Sequence, residues 1–182
     1  MKRVFIGIAL SKRVRERITK LTREFSTKFC EPGITWTKSA NLHITLKFLG
    51  EIEAGKIDQL EEIVRKSLLG VSRFKIRFAN TGLFPDRNHP RIYWIGIENE
   101  SGNLQKISEK IEIECRKYGF AAEKRKFHPH LTIARIRKPI KEKNFPAYDF
   151  EPIEFEVSEI TIFESLLSSA GSTYFSLGDI PI

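Results

Sequence analysis

The chain has 182 residues, 41% of them hydrophobic and 30% charged, with a formal net charge of +8; that length and apolar content fit one medium domain or two small lobes and exclude a disordered chain. The excess of Lys and Arg favours a polyanionic partner, because summed positive charge concentrates phosphates whatever the fold. Cys30 and Cys115 are too few for a disulfide framework and too far apart for a metal knuckle, which points to a reducing, cytoplasmic setting, and no apolar run approaches the ~20 residues that span a bilayer.

In chain order, Lys2 and Arg3 precede the apolar run Val4 to Leu10, which leads into Ser11-Lys-Arg-Val-Arg-Glu without a small-x-small cleavage pattern. It reads as a first strand rather than a leader. Ser11 suits the N-cap of a helix carrying Val14, Ile18, Leu21 and Phe25 on one stripe, ended by Glu31-Pro32-Gly33. A short extended piece at Thr35-Trp36-Thr37 is followed by a strand from Ser39 to Leu49, closed by Gly50. Glu51 to Leu69 reads as a second helix, with Ile57, Leu60, Ile63, Val64 and Leu68 on its apolar side and Gly70 at its end.

Phe74 to Ala79 alternates as a half-buried strand, and the turn-rich Phe84 to Pro90 separates it from another at Arg91 to Glu98. A third helix spans Leu104 to Tyr118, stopped by Gly119. Lys124-Arg125-Lys126 introduces a strand around His130, Pro139 to Pro146 is a basic connector, Ile153 to Phe163 reads as one strand, and Gly171 to Leu177 closes the sheet. The order β-α-β-α-β-β-α-β-β-β, with no Gly/Ser-rich linker, predicts an α+β fold. Residues 1–182 are expected to form a single monomeric unit of two interleaved lobes, each a mainly antiparallel sheet covered by helix.

Two stretches stand out. Asn41-Leu-His43-Ile-Thr45-Leu-Lys-Phe-Leu-Gly50 and Phe127-His-Pro-His130-Leu-Thr132-Ile-Ala-Arg135 both hold His-x-Thr in a strand pattern, with the histidines 87 residues apart. Side chains at i and i+2 share a face of a strand, so each histidine is paired with a threonine while Ile44, Leu46, Leu131 and Ile133 face a core. Two matched half-sites, one from each lobe, suggest a pair of imidazoles facing one phosphate in a cleft. Imidazole works as acid or base near neutral pH, and in-line displacement at phosphorus requires the two on opposite sides.

These motifs, with Lys47-Phe-Leu-Gly50 after the first, Ala134-Arg135 after the second and Ser165-x-Leu167, Gly171, Tyr174 and Leu177 in the tail, resemble the two-histidine (2H) phosphoesterase superfamily. Within it the resemblance is to the LigT-like 2′-5′ RNA ligase and RNA 2′,3′-cyclic phosphodiesterase family, and it covers nearly the whole chain. The resemblance implies a bilobal, pseudo-two-fold fold, no metal and no cofactor. It also implies RNA with 2′,3′-cyclic phosphate ends as the partner, hydrolysis to a 2′-phosphate, and 2′-5′ ligation by microscopic reversibility. It assigns His43 as general acid and His130 as general base, with the hydroxyls of Thr45 and Thr132 donating to the non-bridging oxygens.

Strict alternation places Lys47 on the His43 face, where it would meet a phosphate further along the RNA. It places Arg135 opposite His130, so Arg135 reaches substrate only if the strand ends or bulges near Ala134. His128 shares the His130 face, Tyr93 and Trp94 offer one base-stacking ring between them, and Arg91 and Lys124 to Lys126 are flanking cations. His89 is a solvated turn residue. Two other readings compete: a zinc hydrolase using His43, His128 and His130, in which the matched threonines have no purpose, and a non-catalytic RNA-binding module of the same shape, which would bind RNA without turnover.

Overall fold

A computed structural model describes residues 1–29, 31–138, 150–169 and 171–182; Cys30 and the connector at Pro139 to Pro146 lie outside the described residues. Strand β1 (Lys2–Ala9) leads into helix α1 (Lys12–Lys28), whose first turn is capped by Ser11 Oγ, accepting from the Val14 N–H at 3.4 Å. Then come β2 (Ile34–Trp36), a 3₁₀ turn (Ser39–Asn41), β3 (His43–Ile52), a second 3₁₀ turn (Ala54–Lys56) and α2 (Ile57–Ser67). The chain continues through β4 (Phe74–Phe84), β5 (Ile92–Glu98), α3 (Asn103–Lys117), β6 (His130–Ile136), β7 (Ile153–Val157), β8 (Glu159–Ser168) and β9 (Gly171–Pro181).

The strands build one curled antiparallel sheet in the order β7-β4-β5-β6-β3-β1-β8-β9, with β2 added on β6. Its two halves, β9-β8-β1-β3 and β6-β5-β4-β7, meet at β3 and β6, whose register is set by the pair Ile44–Leu131. The halves exchange their helices. α1 follows β1 yet packs on β7, α2 covers β8 and β9, and α3 follows β5 yet packs on β3 and α2. Val14, Ile18, Phe25, Leu60, Ile63, Leu104, Ile107 and Ile111 supply the helix side of the core, and Ile44, Leu46, Leu131 and Ile133 are buried against it. Among the described residues no helix is long and apolar enough to cross a membrane.

Three departures from the sequence reading matter most for the path of the chain. The second helix begins at Ile57, not Glu51, because β3 continues past Gly50 to Ile52. Gly50 sits at φ 75° and pairs with Val4 while Phe48 pairs with Phe5, leaving Leu49 unpaired. The glycine therefore serves a bulge that bends the strand instead of ending it. Likewise β4 runs on to Phe84 through Asn80, at φ 51°, whose side chain occupies the space a Cβ on Gly96 would fill. Finally, Ile153 to Phe163 is two strands: β7 pairs with β4 in one half, whereas β8 pairs with β1 and β9 in the other. The alternation slips phase at Ser158-Glu159, and the chain uses that slip to cross between halves.

Candidate active site

Antiparallel pairing at Ile44–Leu131 places His43 beside Thr132 and Thr45 beside His130. All four stand on the face opposite the buried Ile44 and Leu131, which is the face away from the helices. The histidines are thus diagonal neighbours across the seam, with Cα atoms about 7–8 Å apart in such a register. The seam forms the floor of the site between the two rings.

Each motif strand then bulges at the same point. On β3, Thr45 pairs with Gly7 and Lys47 with Ile6, so Leu46 is the extra residue. On β6, Thr132 pairs with Trp94 and Ala134 with Tyr93, so Ile133 is extra. The backbone carbonyls of these two residues find partners outside the ladder: Ser108 Oγ of α3 donates to Leu46 O at 3.2 Å, and the Thr37 N–H donates to Ile133 O at 2.9 Å. A bulge inverts the alternation beyond it. Lys47 therefore turns inward and is 4% exposed, while Phe48 turns to the histidine face and is 55% exposed. On β6, Ala134 turns inward and Arg135 outward to the histidine face.

This corrects the expectation for Lys47, whose ammonium reaches no substrate space. It donates to Glu112 Oε2 at 2.5 Å and to Ala121 O at 3.0 Å. Glu112 in turn accepts from Arg116 Nε at 2.8 Å and from the Glu123 N–H at 3.1 Å, so Lys47 anchors the segment between α3 and β6. For Arg135 the condition for reaching substrate, a bulge next to Ala134, is met.

Both imidazoles are held in one tautomer by a carbonyl two residues upstream. His43 Nδ1 donates to Asn41 O at 2.7 Å and His130 Nδ1 donates to His128 O at 2.7 Å. A carbonyl only accepts, so the proton of the neutral ring resides on Nδ1 and the Nε2 lone pair faces the site. Thr45 Oγ1 lies 3.0 Å from His43 Nε2 and donates to it. The turn bearing Asn41 is itself tied down, by Asn41 Nδ2 to Ser172 O of β9 at 2.7 Å and by Thr19 Oγ1 to Ser39 Oγ at 2.9 Å.

Aromatic rings wall both histidines. His43 lies 4.6 Å from Phe5, 4.9 Å from Tyr174 and 5.7 Å from Phe163, centroid to centroid. His130 lies 5.0 Å from Phe84 and 6.5 Å from Trp94, and His128 stands over the same two rings at 5.3 and 5.1 Å. This enclosure lowers the His43 pKa from 6.5 to about 4. Burial is the main cause, the Asn41 carbonyl opposes it, and the charges of Arg135 and His130 reinforce it. Burial lowers the His130 pKa too, against the His128 carbonyl and with the help of the charges of His128 and Arg125.

Of the paired candidates for base stacking, Trp94 shares the His130 face, whereas Tyr93 is buried in the core. Arg125 is exposed and pairs with Glu123, and His89 is a solvent-exposed residue 3.8 Å from Asp86. Among the described residues no three His, Cys, Asp or Glu side chains converge as a metal set, so His43, His128 and His130 lack the geometry that the zinc reading needs. The sequence reading missed Phe48, because only the bulge brings it to this face, and it missed the carbonyls of Asn41 and His128, which any residue type supplies.

The model of the family described as LigT like Phosphoesterase matches residues 8–94 and 95–174. The chain is 33% identical over 174 residues to the RNA 2′,3′-cyclic phosphodiesterase of Thermotoga maritima, covering 94% of this chain and 91% of the relative. It is 34% identical over 177 residues to the protein of the same name from Methanocaldococcus jannaschii, covering 94% and 96%. In fold it is similar to a crystal structure of a Thermus thermophilus protein, with TM-score 0.86 and 23% identity over 98% of this chain and 97% of that one. It is also similar to E. coli LigT complexed with 3′-AMP, with TM-score 0.81 and 23% identity over 100% and 98%. With the family model spanning nearly the whole length and both His-x-Thr strands meeting on one face, the chain belongs to the LigT-like phosphoesterases of the two-histidine superfamily.

Proposed function

We propose that this chain is an RNA 2′,3′-cyclic phosphodiesterase that opens cyclic phosphate ends to 2′-phosphomonoesters, with His43 as general acid and His130 as general base. The observation that carries this reading is the diagonal placement of two imidazoles across the β3–β6 seam, each tied through Nδ1 to a backbone carbonyl with Nε2 toward the site. The name shared by the bacterial and archaeal relatives agrees with it. His130 Nε2 removes a proton from water as the water oxygen bonds to phosphorus. The bond from phosphorus to the 3′ oxygen breaks on the far side, and His43 Nε2 delivers a proton to that oxygen.

His43 is neutral at pH 7 in the free protein, and the negative charge of a bound cyclic phosphate favours its imidazolium form. Thr45 and Thr132 donate to the non-bridging oxygens and Arg135 supplies a positive charge on the same face. A ribose hydroxyl in place of water would give ligation by the same steps.

The direct experiment is incubation with a nucleoside 2′,3′-cyclic phosphate in EDTA, followed by identification of the product isomer. A 2′-phosphate is expected, and a 3′-phosphate would reverse the leaving oxygen. His43→Ala and His130→Ala should each lower kcat/KM by about 100-fold or more; retention of activity within about threefold would sink the acid–base pair. Tight, salt-sensitive RNA binding with no turnover in the parent would favour the non-catalytic RNA-binding alternative.

A further inference from the structure

We infer that the outer face of α1 is a second RNA-binding surface, which holds the phosphodiester backbone of the RNA body on the opposite side of the sheet from the catalytic face. The identification of the polyanion as RNA rests on the function proposed above. Seven cations and two glutamates (Glu16 and Glu24) lie on α1, so this one helix carries +5 of the chain's +8. Among the described residues, Lys12, Arg13, Arg15, Arg17, Lys20 and Arg23 take part in no ion pair.

The other two helices treat their cations differently. Arg65 and Lys66 of α2 pair with Glu61 and Glu62, Arg116 and Lys117 of α3 pair with Glu112 and Glu114, and Lys106 and Lys110 of α3 donate to the carbonyls of Ser101 and Leu69. On α1, like charges recur at i,i+3 and i,i+4, as in Arg13–Arg17 and Lys20–Arg23, an arrangement that destabilises a helix. Its first turn holds no acidic residue, so Lys12 and Arg13 oppose the positive end of the helix dipole. Folding alone gives no reason for this pattern. A polyanion on the outer face relieves both conflicts.

Arg13 and Arg17 overhang a groove of about 560 Å³ between α1 and β7, with Phe155 and Lys75 also in its lining and Glu154 and Glu156 on its β7 side. Val14, Ile18 and Phe25 bury the other side of α1 in the core, and none of the exposed large apolar residues belongs to this helix, so it lacks the apolar face of an interfacial membrane helix. Because α1 and the histidines lie on opposite sides of the sheet, a mononucleotide in the active site cannot touch both, whereas a longer RNA can pass round the edge.

The test neutralises four cations together, Arg13→Gln, Arg17→Gln, Lys20→Gln and Arg23→Gln, beside a charge-keeping control with the three arginines changed to lysine. Binding of an RNA of about 20 nucleotides ending in a 3′-hydroxyl, followed by fluorescence anisotropy across salt concentrations, should weaken about 10-fold or more at low salt in the Gln variant only. The salt slope should fall by about 2–3, since each lost single-strand phosphate contact removes roughly 0.7. Hydrolysis of a nucleoside 2′,3′-cyclic phosphate should stay within about twofold of the parent. Unchanged RNA affinity and slope would overturn the proposal, as would an equal loss on the mononucleotide or binding to phosphatidylserine vesicles in place of RNA. If the parent fails to hydrolyse cyclic phosphates yet the Gln variant loses RNA binding, the surface stands and the catalytic reading falls.

Discussion

Replacing His43 by Gln removes an imidazole that the fold keeps neutral, and the consequence is a measurable change in how stability depends on pH. In the unfolded chain this histidine titrates near 6.5, whereas in the folded protein it titrates at about 4. The unfolded state therefore binds the proton more readily, so His43 costs no stability above pH 6.5 and an increasing amount as pH falls toward 4. At 1.36 kcal/mol per pH unit the difference reaches roughly 2 kcal/mol at pH 5 and roughly 3 kcal/mol at pH 4. Urea unfolding of the parent and of His43→Gln between pH 7.5 and 4.5 isolates this contribution, because other titrating groups are common to both proteins. The parent should lose that much more stability than the variant, equivalent to about 4–8 °C in Tm at pH 5 for a chain of this size. Parallel curves across the range would refute the claim that burial holds this ring neutral, and with it the assignment of the enclosed site.

The same shifts bear on kinetics: kcat/KM should follow a bell whose two limbs are the free-protein pKa values, so its maximum should lie between about pH 4 and 6.5. A flat profile from pH 5 to 9 would count against the pair. Arg135→Gln should lower kcat/KM on cyclic phosphates roughly 10-fold while leaving urea stability within about 0.5 kcal/mol, as befits an exposed side chain. Lys47→Met should do the reverse, destabilising by about 1–3 kcal/mol through the hydrogen bonds lost to Glu112 and to Ala121 O, with little change in kcat/KM at a temperature where the variant is folded; a large catalytic loss in a stable variant would return Lys47 to the substrate face. Asn41→Ala should cost about 1 kcal/mol from the lost bond to Ser172 and lower kcat more than it raises KM, because the turn that holds His43 Nδ1 loosens; an unchanged kcat would show that the carbonyl is held without it.

Much of the site was legible in the residues. The period-2 runs around His43 and His130 gave strands, and the i,i+2 rule put each histidine with its threonine on one face and Ile44, Leu46, Leu131 and Ile133 in the core, where they are found. Ser11, Val14, Ile18 and Phe25 specified the cap and stripe of α1 by local chemistry alone. The same rules failed further along each motif strand. Lys47 and Arg135 were placed on the wrong faces by strict alternation, because Leu46 and Ile133 each add one residue to the strand.

Nothing local marks those bulges. Leu and Ile fit a regular strand as well as a bulged one, and the difference lies in what receives the displaced carbonyl: Ser108 from a helix 62 residues away for Leu46, and the Thr37 backbone for Ile133. By itself, then, the sequence determined the elements, their buried stripes and the matched pair of imidazoles, since each depends on spacing along one strand or helix. The tertiary structure decided that the pair meets at a single seam, that Arg135 and Phe48 join it, and that Lys47 leaves it, because hydrogen-bond partners distant in the chain choose where a strand gains a residue.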